Sequence, residues 1–121
     1  MSIDLDASFP RYTDHEPAAP IWRITTAIDR CFHRFFDTSP ISPSGRYVGL
    51  TRLPAEDRMP VAGEPAEIVV IDLETGAAEV VAVTHGWDTQ LGAQVQWGPS
   101  DHELWFGDMD VARCQDRKSV V

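Results

Sequence analysis

Apolar positions follow two regimes along this chain. After position 45, short β-branched and aromatic runs alternate with turn residues, whereas before it no single period holds. The turn sequence Ser42-Pro43-Ser44-Gly45, in which Pro fixes φ and Gly accepts a positive one, leads into Arg46-Tyr47-Val48-Gly49-Leu50-Thr51-Arg52-Leu53, a strand pattern. Residues 54–65 hold three prolines, a glycine and the charges Glu56, Asp57, Arg58 and Glu64, a composition that interrupts sheet pairing and predicts a solvated loop. Next comes the continuous run Ile68-Val69-Val70-Ile71. Asp72-Leu73-Glu74-Thr75-Gly76 then reverses the chain, and Glu79-Val80-Val81-Ala82-Val83 returns as a hairpin partner. After a second loop over 84–92, Gln94-Val95-Gln96-Trp97 alternates and places Val95 and Trp97 on one face of a short strand.

The first 20 residues mix Asp4, Asp6, Asp14 and Glu16 with Pro10, Pro17 and Pro20 and predict an extended or loosely packed lead-in. From Ile21 to Phe36 the clusters Ile21, Trp22, Ile24, Ile28 and Cys31, Phe32, Phe35, Phe36 fit helical spacing about as well as strand alternation. Periodicity does not choose between them. Further along, the chain repeats itself. Gly98-Pro99-Ser100-Asp101 before His102-Glu103-Leu104-Trp105-Phe106 mirrors the first turn and strand, with Trp97 standing 56 positions after Ile41 (97 − 41), and Pro99 and Leu104 the same distance after Pro43 and Val48. The first unit reads short strand, Pro-containing turn, strand, long loop, strand, tight hairpin, strand, and the second copy supplies only its first two strands. Such a unit is a four-stranded antiparallel propeller blade, and a six-stranded sandwich or meander is the competing arrangement.

Three segments carry a family resemblance: Ser39-Pro40-Ile41-Ser42-Pro43-Ser44-Gly45-Arg46-Tyr47, Val70-Ile71-Asp72-Leu73-Glu74-Thr75-Gly76 and Val95-Gln96-Trp97-Gly98-Pro99-Ser100. They resemble the blade signatures of TolB-like (PD40) propellers and of the oligogalacturonate lyase propeller. Ser44 and Ser100 stand where those signatures have Asp, and Asp101 where they have Gly. The resemblance implies an all-β chain: an incomplete, WD40-like β-propeller of about one and a half blades, with the first over residues 33–83 and the start of a second over 93–108. The partial propeller then spans residues 21–110, and the polar stretch 111–121 is expected to be an unstructured tail. A ring needs at least about four blades, so the chain is expected to be an N-terminal fragment. Trp97, Trp105 and Phe106 would then face no neighbouring blade and offer an open edge for self-association.

Charge narrows the partners. Ten basic against 19 acidic residues give a formal charge of −9, which repels a phosphate backbone and offers nothing to an anionic membrane, so neither nucleic acid nor membrane is an expected partner. No stretch reaches the ~20 apolar residues of a membrane span, and the acidic start does not read as a signal peptide, so a cytoplasmic location is expected. Cys31 and Cys114 lie far apart and outside any CxxC pattern, which predicts two unpaired thiols.

In a blade, residues 31–36 and the loops 54–65 and 84–92 share one rim. Candidate ligand-binding residues there are His33, Arg34, Asp37, Trp87, Asp88, Gln90 and Gln94. Arg34 suits a substrate carboxylate and Trp87 a sugar or aromatic ring; the plainer reading pairs Arg34 with Asp37 or Asp88 and makes Trp87 a loop plug. Asp108 and Asp110, at the end of a strand, are expected to be solvated. No catalytic residue is assigned. His15, His33, His85 and His102 show no ligand spacing, so no metal or other cofactor is expected; Mn enters only under the lyase alternative. The leading expectation is a non-catalytic scaffold for a carbohydrate, peptide or protein partner. The alternatives are an oligogalacturonate lyase-like enzyme acting on uronate-containing oligosaccharides, and the gating propeller of a serine peptidase.

Overall fold

A computed structural model describes residues 2–110, 112 and 115–120. Its elements are a single helical turn, α1 (Leu5–Ser8), and seven strands: β1 (Cys31–Phe32), β2 (Tyr47–Arg52), β3 (Ala66–Asp72), β4 (Ala78–Thr84), β5 (Gln96–Trp97), β6 (Leu104–Asp110) and β7 (Gln115–Val120). They form a four-stranded antiparallel sheet in the order β1-β2-β3-β4 and a three-stranded one in the order β5-β6-β7. The chain is thus mostly β, as expected, and neither sheet closes on itself among the described residues.

The unbroken Ile68-Val69-Val70-Ile71 run is explained by burial on both faces of β3, where no alternation with polar residues is needed. On one face, Val69 and Ile71 join Val48, Leu50, Leu73 and Phe9. On the other, Ile68 packs with Ala93, Val95, Leu104 and Phe106 of the second sheet and its approach, flanked by Val70, Val81 and Trp97. The two sheets meet so closely that a Cβ on Gly49 would stand 3.1 Å from the Leu104 Cδ1 and 3.2 Å from the Val95 Cγ1. Val48 and Val95 therefore lie on opposite sides of β2, and the sheets stack one behind the other. Trp97 and Phe106, expected to lack a neighbour, belong to this inter-sheet core.

The 56-residue repeat is reproduced bond for bond at its start. Ile41 bridges Val48 as Trp97 pairs with Leu104, and the Ser42 N–H donates to the Tyr47 carbonyl at 2.8 Å as the Gly98 N–H does to that of Glu103 at 2.8 Å. The two turns also touch. Asp101 of the second accepts from the backbone N–H and the hydroxyl of Ser44 in the first. Ser44 and Asp101 are therefore a matched pair joining the two copies of the repeated turn.

Three expectations need correction. The lead-in is not loosely packed: α1 delivers Phe9, 6% exposed, into the core, with Ile3, Leu5, Trp22, Ile24 and Ile28 packed beside it. Asp6 ties this arm together by accepting from Arg11 at 2.7 and 2.8 Å and from the Trp22 indole at 2.9 Å. Residues 111–121 are not all tail, because Gln115–Val120 pairs with β6 over six positions; polar residues enter a strand readily when a partner edge supplies the hydrogen bonds. Cys114 lies outside the described residues. The strand expected over 94–97 shortens to Gln96–Trp97, since Gln94 takes a φ of 54°.

Ion pairs brace the turns. Arg46 holds Asp72 with two hydrogen bonds of 2.8 and 3.1 Å and reaches Glu74 at 3.2 Å, which fastens the first strand turn to the β3–β4 hairpin. Arg46 holds the Asp72 carboxyl below its ordinary range, and Ser44 does the same for Asp101. Hydrogen bonds from Arg11 and then Trp22 lower Asp6 to about 2. Each depressed carboxyl stabilises the fold fully above its unfolded value, near ~4, and loses that contribution as pH falls towards the folded one. Stability from urea unfolding is therefore expected to hold down to about pH 5 and then fall continuously towards about pH 2. Asp72→Asn should lower the plateau and flatten the decline, and an unchanged acid profile would contradict the role of the Arg46 pair.

Candidate functional site

The loop joining β2 to β3 is rich in proline and satisfies few of its backbone groups internally, so side chains hold its shape. Arg58 grips the Glu64 carboxylate with two bonds of 2.9 Å, and the Glu64 N–H returns to the Val61 carbonyl at 3.0 Å. The Arg58 guanidinium lowers the Glu64 carboxyl, keeping the pair ionised. The indole N–H of Trp87, from the loop after β4, donates to the Glu64 carbonyl at 2.7 Å and pins the two loops together.

Beneath Trp87, the loop after β4 crosses β6 at close range. Thr84 Oγ1 donates to the Gly107 carbonyl at 2.6 Å, and the His85 N–H to Asp108 Oδ1 at 3.1 Å. Asp108, expected to be solvated, is 8% exposed and serves as this acceptor. Beyond the crossing, Asp88 Oδ1 accepts from the backbone of Gln90 at 2.8 Å and of Leu91 at 2.6 Å, forming the turn that returns the chain at Gly92. That glycine lies so near Thr51 and Phe32 that its Cβ would be 2.5 Å from the Thr51 hydroxyl.

These contacts leave a groove of about 550 Å³ between the two loops. Its apolar walls include Met59, Val61, Trp87 and Met109, and Glu64, His85, Asp88 and Thr89 supply the polar edge. A smaller recess of about 230 Å³ shares Met59 and Trp87. Two of the three rim segments expected from the sequence thus meet face to face. The third approaches through the Phe32 ring against Gly92.

Of the candidate residues, Trp87 and Asp88 line the groove, with Trp87 also the plug between loops and Asp88 also the architect of its own turn. Arg34 pairs with Asp37 at 3.3 Å and keeps most of its side chain buried, its Nε without a hydrogen-bond partner among the described residues, and it lies outside the groove lining. His33, Gln90 and Gln94 are exposed outside the groove lining. Met59, His85 and Met109 were not legible as groove residues, since nothing in a Pro-rich loop or at a strand end marks a wall. Among the described residues, no three His, Cys, Asp or Glu side chains gather to hold a metal ion, and no helix is long and apolar enough to cross a membrane. Cys31 is a free thiol whose pKa is raised by burial.

No protein-family model matches the chain, and no curated protein or solved structure is similar to it. The likeness to TolB-like and oligogalacturonate lyase propellers accordingly rests on residues 39–47, 70–76 and 95–100 alone.

Proposed function

We propose that the chain is a propeller-type binding scaffold, whose two stacked repeat units present the groove between loops 54–65 and 84–92 to an apolar peptide segment of a partner protein. The observation that carries this reading is the groove itself: about 550 Å³, walled by two methionines, a valine and a tryptophan, on a rim held by rigid sheets. Its volume falls within the ~300–1,000 Å³ usual for ligand sites, and methionine-rich walls adapt to varied apolar side chains. The 56-residue repeat and the contact between consecutive turns support the propeller-type assembly.

The lyase alternative needs a cation free to meet a uronate carboxylate. Arg58 is committed to Glu64, and no lysine or arginine is among the described residues lining the groove, so its geometry favours the scaffold. Incubation with oligogalacturonate and Mn²⁺ should give no absorbance of unsaturated product above buffer; turnover would reverse the choice.

The groove is tested by selecting a random peptide library on the immobilised chain and repeating the capture on Met59→Asp. Met59 is 77% exposed, so the variant keeps its fold. Apolar peptides retained by the parent are expected to lose about tenfold or more in affinity, the scale of a charge placed against a desolvated apolar contact. Equal retention by the variant would remove the groove from consideration.

A further inference from the structure

At the opposite end of the sheets from the groove lies a cleft of about 250 Å³ between β3–β4 and the second turn. Val70, Val81 and Leu104 form its aliphatic walls, and the rings of Tyr47 and Trp97 complete them, with centroids 6.3 Å apart and planes inclined by 32°. The Trp97 ring is fixed by its indole N–H, which donates to the Pro40 carbonyl at 2.8 Å. The polar side of the cleft comes from Glu79, Asp101 and His102. Among the described lining residues there are two carboxylates and no lysine or arginine.

We infer that this cleft binds a small organic cation, an alkylated ammonium group carried on an apolar body. An anion would meet Glu79 and Asp101, and a neutral apolar ligand would leave the Glu79 carboxylate without a counter-charge. A bare metal ion would find Asp101 committed to Ser44 and walls without further oxygen donors from aliphatic side chains. An alkylammonium satisfies all three surfaces: its charge faces Glu79, its alkyl groups meet Val70, Val81 and Leu104, and its diffuse positive surface suits an aromatic face. The Arg46 guanidinium, 5.2 Å from the Tyr47 ring centroid, is neutralised by its pairs with Asp72 and Glu74. The site is distinct from the peptide groove and does not depend on it.

Choline and its neutral isostere 3,3-dimethylbutan-1-ol have nearly the same shape, so comparing them isolates the charge. The readout is the ¹H–¹⁵N signal of the Trp97 indole, assigned by its loss in Trp97→Phe. Choline is expected to shift that signal saturably and to bind about three- to fivefold more tightly than the alcohol, the range of an exposed cation–π contact. Glu79 is exposed, so Glu79→Gln keeps the fold and should weaken choline about threefold without affecting the alcohol. Equal binding of the two probes, a choline shift that grows without saturating, or undiminished choline binding by Glu79→Gln would each overturn the assignment.

Discussion

Truncating Ile68 to alanine is expected to cost about 2–5 kcal/mol in urea unfolding, the range for removing a fully buried branched side chain. Ile68 is 0% exposed and stands on the face of β3 that meets the second sheet. The upper half of the range is favoured because the surroundings have little room to collapse. On the neighbouring strand Gly49 already brings backbone against Leu104 and Val95, so the sheets are held apart by contacts that the substitution leaves in place. Val83→Ala, in the same sheet at a position 53% exposed, serves as the control and should cost less than about 1 kcal/mol. A loss for Ile68→Ala as small as that of the control would mean that the two sheets do not share a core in solution.

The parts of the fold that were legible are those encoded locally. The β3–β4 hairpin follows from a β-branched run, a Thr75-Gly76 turn and a second run, with Gly76 at a φ of 80° and its N–H donating to the Asp72 carbonyl at 2.8 Å. The repeat was legible because similar turn chemistry recurs at a fixed distance. What escaped depends on partners remote in sequence. Phe9 sits alone among acidic residues and prolines, and only the exposed face of β2 and β3 makes it a core residue. Gln115–Val120 has no strand pattern of its own and takes its conformation from β6. At the site, the tryptophan in the 84–92 loop was visible, but its bond to Glu64 joins loops 23 positions apart and leaves no periodic trace. Arg34 and Asp37 were visible as a pair, and the structure brings them to 3.3 Å of one another.

Gly86→Ala is expected to be the most damaging single-methyl addition at the rim, because its cost comes from space and not from backbone conformation. A Cβ there would lie 2.4 Å from the Asp108 carbonyl carbon, 2.6 Å from its Cα and 2.7 Å from its oxygen, all backbone atoms of a paired strand that cannot rotate away. Relief requires the loop to lift from β6. Lifting breaks the Thr84 hydroxyl bond to Gly107 at 2.6 Å and the His85 bond to Asp108 at 3.1 Å, taking from the Gly107 carbonyl its hydroxyl donor. We expect a loss of about 3 kcal/mol or more, the upper end for overpacking with the lost hydrogen bonds added. His85, Trp87 and Met109 should move with the loop, so peptide capture by the groove falls along with stability. Gly45→Ala makes the informative comparison: φ is 84°, so alanine is strained, yet nothing stands within 4 Å of the added carbon. Its cost should stay near ~1 kcal/mol, and it should leave the groove unchanged. Hydrogen exchange would separate the two, with faster exchange confined to residues 84–93 and 107–109 in Gly86→Ala and to the first turn in Gly45→Ala. If Gly86→Ala is no worse than Gly45→Ala, the close crossing of the loop over β6 is wrong, and the groove walls it positions must be redrawn.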